Sequence, residues 1–222
     1  MSVPEALAFD LYGTLVDPIR IWRQLELYLG ESAVRAAEVW RMKQLEYTFR
    51  LTAMQQYADF EQVTRRSLDY ALAVVGHDLG REQRQALLAE YDHLEPFPDV
   101  TEGLRQLSSA AHTLVVLSNG TPRMLQAVVR SAGLADWFQT LISVDEVRTY
   151  KPSPRVYQHA ARRLGRPLAE VRLISSNPFD VIGAAAAGMQ VAWVDRSAGL
   201  FDTLAERPAL VVSTVSELAE RL

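Results

Sequence analysis

Four short apolar runs in this chain each stop at a polar residue, and that recurrence limits the possible folds more than any other feature. Leu7-Ala8-Phe9 runs into Asp10 and then the Gly13-Thr14 turn, and Thr113 to Leu117 ends at Ser118-Asn119-Gly120. Val171 to Ile174 ends at Ser175-Ser176-Asn177, and Val191 to Val194 ends at Asp195. Short apolar runs bounded by turn residues read as buried strands. Leu210-Val211-Val212 is a candidate fifth. Helical patterns at about 99–110, 122–132, 153–164 and 179–187 lie among them. This alternation predicts an α/β fold, Rossmann-like and doubly wound, with a mostly parallel sheet covered by helices on both faces. Ligands bind such sheets beyond the carboxyl ends of the strands. Asp10, Thr14, Ser118, Asn119, Ser175 and Asn177 all fall at those ends.

Residues 18–95 follow a different rule. Their pattern is almost continuously helical and holds no convincing strand. Trp22, Leu25 and Leu29 form one apolar stripe, Val34, Ala37, Leu45 and Phe49 a second, and Leu68, Leu72 and Val75 a third. A helical block between the first strand and the rest reads as an inserted all-helical cap lying over the site. Glu95-Pro96-Phe97-Pro98 marks the return, because these prolines cannot continue a helix. The expected division is a core of 1–17 and 96–222 with a cap of 18–95.

Composition excludes several functional classes. The formal charge is -4 and the basic residues are dispersed, which argues against a nucleic-acid or membrane-surface partner. There are no cysteines, so disulfides, thiolate metal sites and cysteine nucleophiles are excluded. No apolar run approaches the ~20 residues of a membrane span. The start of the chain, Met1 to Glu5, lacks the pattern of an export signal. The expectation is a soluble cytoplasmic protein.

Asp10-Leu11-Tyr12-Gly13-Thr14-Leu15 is the sharpest local signal. A carboxylate ending a buried strand is rigid and partly desolvated, as a nucleophile should be, although a turn or helix-capping aspartate would look the same. Ser118-Asn119-Gly120, Lys151-Pro152 and Ser175-Ser176-Asn177 with Asp180 complete the set. Singly these read as a strand-end turn, an exposed lysine and a capping serine; their joint occurrence in this order points to a site. His77, His93, His112 and His159 are scattered and form no i,i+4 pair, so a histidine metal site or catalytic triad is not expected.

Together these four stretches resemble the motifs of the haloacid dehalogenase superfamily over the whole chain. With Arg41 they resemble its (S)-2-haloacid dehalogenase branch. The departures from the superfamily's phosphatases are informative. A phosphatase of this type carries a second aspartate two residues after the nucleophile, where this chain has Tyr12. It binds Mg²⁺ through a Gly-Asp-x-x-x-Asp motif, where this chain has Ser175-Ser176 and retains Asp180. Halide leaves without a proton, and a haloacid is a monoanion that needs no divalent cation to offset its charge. Phosphoryl transfer depends on such electrostatic help.

The resemblance implies hydrolytic dehalogenation of short-chain (S)-2-haloalkanoic acids to (R)-2-hydroxy acids through an aspartyl ester, with inversion and without metal or cofactor. Haloacid and water are the implied partners. Asp10 would be the nucleophile, oriented by Thr14 and kept ionised by Lys151. Arg41 and Asn119 would receive the halide. Ser118 and the backbone N–H groups after Asp10, from Leu11 onward, would clamp the substrate carboxylate. Asn177 and Asp180 would position or activate water, supported by Tyr157 and Ser175. Tyr12, Met42, Leu45, Phe60 and Phe179 would wall the pocket. The branch commonly dimerises, and the apolar cap helices offer a surface for a homodimer. A phosphatase or phosphotransferase of the same fold, and an idle binding protein on it, remain the alternatives.

Overall fold

The computed structural model describes residues 4–222; Met1 to Val3, part of the segment read as lacking an export signal, lie outside them. Six strands form one parallel sheet: β1 (Ala6–Phe9), β2 (Thr113–Ser118), β3 (Thr140–Ser143), β4 (Val171–Ser175), β5 (Gln190–Val194) and β6 (Val211–Val212). Their order is β3-β2-β1-β4-β5-β6. β1 is therefore central, flanked in parallel by β2 and β4. The chain steps outward through β2 and β3, then returns to the other side of β1. That switch point opens a crevice at the carboxyl end of β1, where Asp10 stands.

All four residues of β1 are fully buried, as expected of a strand covered on both faces. The α/β fold read from the sequence is the fold observed. The sequence pattern passed over β3, a four-residue strand at the sheet edge whose first two residues are only half-buried. Such a strand carries too few apolar residues to stand out.

Four helices separate β1 from the rest: α1 (Trp22–Leu29), α2 (Ala33–Ala53), α3 (Phe60–Val74) and α4 (Arg81–Glu90). Five more accompany the sheet: α5 (Val100–Ser109), α6 (Pro122–Ser131), α7 (Pro154–Leu164), α8 (Pro178–Ala187) and α9 (Val215–Arg221). Helices α6, α7 and α8 each open on proline in the first turn, where the missing N–H costs nothing. α7 and α8 end at Gly165 and Gly188 in the left-handed conformation, the usual glycine stop.

The stripes read on α1 and α3 are buried or half-buried, but the stripe read on α2 is not. Val34 and Phe49 are exposed, whereas the buried face runs through Ala33, Ala36, Ala37, Trp40, Gln44 and Thr48. Polar residues on that face obscured it in the sequence. Gln44 donates to Thr64 Oγ1 at 2.9 Å and accepts from Tyr91 Oη at 3.0 Å, while Trp40 Nε1 donates to the Thr64 carbonyl at 2.9 Å. Satisfied in this way, a buried amide is tolerated.

At the opposite end of the sheet, His112 Nδ1 accepts the Glu5 N–H at 3.0 Å, and its Nε2 is buried without a partner among the described residues. Burial pushes this imidazole below the usual histidine range, and nearby Arg172 adds to the effect against the opposing pull of Glu5. The folded state therefore prefers neutral His112. Its contribution to stability is present above about pH 6.5, the unfolded value, and is lost as pH falls through the lower folded value. Thermal unfolding at about pH 7.5 and about pH 5.5 should show a loss of stability on acidification that is smaller in His112→Gln.

Candidate active site

Three adjacent strands deliver the polar groups to one place. β1 ends at Asp10, β2 at Ser118 and β4 at Ser175. The Asp10 carboxylate is 7% exposed, and its two oxygens are held unequally. Oδ2 accepts from Thr14 Oγ1 at 2.9 Å and from Asn177 Nδ2 at 2.7 Å, with Ser175 Oγ at 3.4 Å. Oδ1 meets the Lys151 ammonium at 3.2 Å. One oxygen is thus pinned by neutral donors, while the other faces a single cation.

Lys151 is fully buried. Its Nζ also donates to the Leu117 carbonyl at 2.6 Å and to Asp180 Oδ2 at 2.8 Å. Burial works against its charge, but Asp10 and Asp180 outweigh it and hold the ammonium above the ordinary lysine range. Asp180, also fully buried, is pushed above the usual carboxylate range by desolvation and by the Asp10 charge, against the pull of Lys151. Its Oδ1 accepts from Tyr157 Oη at 2.8 Å. Burial, followed by the Asp180 charge, keeps the Tyr157 phenol protonated as that donor.

The turn after Asp10 is built to present its amides. The carbonyls of Leu11, Val16 and Leu15 are taken up by backbone N–H groups of the turn or of Phe97. The Tyr12 carbonyl accepts from Asn177 Nδ2 at 3.1 Å and Arg41 Nη2 at 3.2 Å. Among the described residues, the N–H groups of Leu11 and Tyr12 have no protein acceptor. Gly13 adopts φ +88°, a conformation that favours glycine. Asn177 stands at the N-cap of α8, yet its side chain makes no capping bond; its amide is spent on Asp10 instead.

A small cavity is lined by Asp10, Tyr12, Arg41, Leu45, Phe60, Asn119, Lys151, Asn177 and Phe179. Of these, Arg41 and Leu45 come from α2 and Phe60 from α3. Thr14, Ser175, Tyr157 and Asp180 do not line it, but each is hydrogen-bonded to Asp10 or Lys151 or to a partner of theirs. Asn119 Oδ1 accepts the Lys151 N–H at 3.1 Å.

Two expectations are corrected. Met42 is 52% exposed and lies outside the cavity, because on α2 it follows Arg41 and so points away from the face that Arg41 and Leu45 share. The Leu11 side chain belongs to the hydrophobic core, which leaves its expected role to its backbone N–H. Ser118 is fully buried, and its hydroxyl accepts the Gly120 N–H at 3.3 Å rather than lining the cavity.

No local signal marks the contacts that fasten α3 and the segment before it to the sheet side of the chain. Tyr57 pairs with Asp145, Tyr150 Oη donates to the Ala58 carbonyl, and Glu61 accepts from Thr121 Oγ1 at 3.0 Å and Arg123 Nε at 2.8 Å. The partners in these pairs lie 60 or more residues apart, beyond any local signal. Nor does any local signal mark Arg196, which donates to the Thr14 carbonyl from 182 residues away. Among the described residues, no group of three or more His, Cys, Asp or Glu side chains is placed to hold a metal ion.

This chain belongs to the family of haloacid dehalogenase-like hydrolases, whose pattern matches residues 4–188. Within that family it is similar to enzymes that break carbon–halide bonds. It is 39% identical to (S)-2-haloacid dehalogenase 2 of Pseudomonas sp. (strain CBS-3), covering 100% of this chain and 97% of the relative. It is 36% identical to (S)-2-haloacid dehalogenase of Pseudomonas sp. (strain YL), covering 99% and 95%. Among solved structures, L-2-haloacid dehalogenase from Xanthobacter autotrophicus with chloropropionic acid covalently bound superposes with a TM-score of 0.90 at 36% identity, covering 98% of each chain.

Because the single Lys151 ammonium pairs with both Asp10 and Asp180, Lys151→Met leaves two buried carboxylates without that cation. The expected cost is about 3–5 kcal/mol, read as a lower midpoint in denaturant unfolding.

Proposed function

We infer that this chain hydrolyses short-chain (S)-2-haloalkanoic acids to (R)-2-hydroxyalkanoic acids through an ester on Asp10. The observation that carries this reading is the unequal holding of the Asp10 carboxylate beside a cavity capped by Arg41. With Oδ2 pinned by Thr14 and Asn177, Oδ1 is the oxygen left to attack C2. Attack in line with the carbon–halogen bond forms the C–O ester bond, expels halide with its electron pair and inverts the centre. Arg41, with the Asn119 amide, receives the halide. The Leu11 and Tyr12 N–H groups, which have no protein acceptor among the described residues, take the substrate carboxylate, as oriented backbone donors do.

Water then attacks the ester carbonyl carbon of Asp10, which regenerates the carboxylate and releases the hydroxy acid. Asp180 accepts the water's proton and Asn177 orients the water; the raised pKa of Asp180 suits it to hold that proton. Ser175 and Tyr157 hold Asp10 and Asp180 in place for both steps. Tyr12, Leu45, Phe60 and Phe179 surround the alkyl chain and exclude water from the displacement.

The same geometry supports metal independence and disfavours a phosphatase. The Asn177 amide nitrogen bridges Asp10 Oδ2 and the Tyr12 carbonyl at 2.7 and 3.1 Å. A hydrogen-bond donor therefore meets both of these oxygens without a cation. At the position of a phosphatase's acid, burial and the neighbouring Tyr91 raise the Tyr12 phenol far above its ordinary range, making it a poor proton donor to an alkoxide. An idle binding protein is disfavoured because Asp10, Lys151 and Asp180 are buried together at the cost of desolvation.

Division into a core of 1–17 and 96–222 and a cap of 18–95 belongs to this reading. The pairing of Asp17 N–H with the Glu95 carbonyl, and of Phe97 N–H with the Leu15 carbonyl, supports a crossing at that point. Cytoplasmic residence is part of it too; no described helix is long and apolar enough to cross a membrane. So is a homodimer, supported by exposed Met42, Phe49, Met54, Tyr70 and Val74 on or beside α2 and α3; sedimentation as a monomer would remove it.

Halide release from (S)-2-chloropropionate, with no release from the (R) enantiomer, no effect of EDTA and loss of turnover in Asp10→Asn, is the expected result. Mg²⁺-dependent phosphate release from a phosphate ester, without halide release, would replace this reading with the phosphatase.

A further inference from the structure

Behind the nucleophile turn, away from the cavity, lies an arginine that the mechanism above does not use. Arg196 follows the carboxyl end of β5, and its side chain reaches back to the turn after β1. Its Nε and Nη2 donate to the Thr14 carbonyl at 2.9 and 2.6 Å. Its Nη1 and Nη2 donate to the two Asp99 carboxylate oxygens at 2.8 and 3.3 Å. The guanidinium lies over the Phe97 ring, 3.9 Å from its centroid. Phe97 and Asp99 belong to the segment in which the chain returns from the cap helices, and the Phe97 N–H donates to the Leu15 carbonyl at 3.0 Å.

We propose that Arg196 is a positioning residue for the dehalogenation: by gripping the Thr14 carbonyl it fixes the Thr14 hydroxyl on Asp10 Oδ2 and so aims Oδ1. The inference rests on Asp10 being the nucleophile. Thr14 is completely buried. Its carbonyl faces the arginine, and its hydroxyl donates to Asp10 Oδ2 at 2.9 Å and accepts the Ser176 N–H at 2.8 Å. A threonine side chain is stiff at χ1, so the direction of its hydroxyl follows its backbone. The two-pronged contact of a planar guanidinium sets that backbone more firmly than a single donor could.

The anchor behind Arg196 is itself fixed. Asp99 also accepts the Val215 N–H at 2.6 Å, and the Ser216 hydroxyl donates to the Asp99 carbonyl at 3.1 Å. Burial works to raise the Asp99 carboxyl, but Arg196 and the Val215 N–H hold it below the ordinary aspartate range, so the pair stays charged. One guanidinium therefore ties together the nucleophile turn, the return from the cap and the start of α9. It touches none of the residues that line the cavity except through Thr14. Removing it should misplace the attacking oxygen while leaving the substrate's own contacts intact.

Misplacement of a reacting group from a distance can cost about 10²-fold in rate. Arg196→Met is expected to lower kcat for (S)-2-chloropropionate by about 10- to 100-fold, with KM little changed. Arg196→Lys, which keeps the charge but not the fork, should restore part of that loss. The decisive measurement is a double-mutant cycle with Thr14→Val. If Arg196 acts through the Thr14 hydroxyl, Arg196→Met costs little more once that hydroxyl is gone. Near-UV circular dichroism and unfolding midpoints establish that each variant is folded at the assay temperature; should Arg196→Met not fold, Arg196→Lys carries the cycle. Additive losses in kcat, or a loss confined to KM, would overturn the assignment while wild-type activity stands. A wild-type chain that releases no halide, or an Asp10→Asn variant that still does, would overturn the reading of the reaction and this inference with it.

Discussion

The rest of the structure depends on one buried ammonium between two buried carboxylates. Lys151 Nζ lies 3.2 Å from Asp10 and 2.8 Å from Asp180, with both carboxylates almost wholly removed from water. Three charges in such a place are costly unless each is paired and its remaining hydrogen-bonding capacity is met. Meeting it takes a carbonyl near the end of β2, a tyrosine from α7 and donors from the turn after β1 and from the end of β4. Parallel strand order brings these together: with β1 flanked by β2 and β4, three carboxyl ends meet at one point.

Chemistry follows from how that cost is met. The donors on Asp10 crowd one oxygen and leave the other against a single cation, and in the proposed reaction that second oxygen is the one that attacks. Helix α2 lies over it, with Arg41 reaching to the Tyr12 carbonyl at 3.2 Å. In the proposed reaction, a halide-receiving cation on α2 makes that step depend on the seating of this helix. Polar contacts near residues 57–61 secure that seat on one side, and the paired backbones near 17 and 95 do so on the other.

Much of this was legible in the residues. Apolar runs stopping at Asp10, Ser118 and Ser175 gave the sheet and the edge that carries the site, because a strand buried on both faces has no choice but to be continuously apolar. Tyr12 and Ser176 separated this chain from phosphatases because they delete groups that phosphoryl transfer needs. β3 escaped notice as a short, half-exposed edge strand. The buried face of α2 differs from the apolar stripe because it carries Gln44, whose partners Thr64 and Tyr91 only the folded chain supplies, and Thr48, whose hydroxyl is met within the helix by the Leu45 carbonyl.

The sequence by itself determined the class of fold, the order of the motifs and the residue types at the strand ends, all of which are local properties of the chain. Tertiary structure alone decided which oxygen of Asp10 meets Lys151, that Met42 faces solvent, and that Arg196 grips Thr14 from 182 residues away. Those outcomes depend on distances between segments far apart in the chain, and periodicity within a segment carries no information about them.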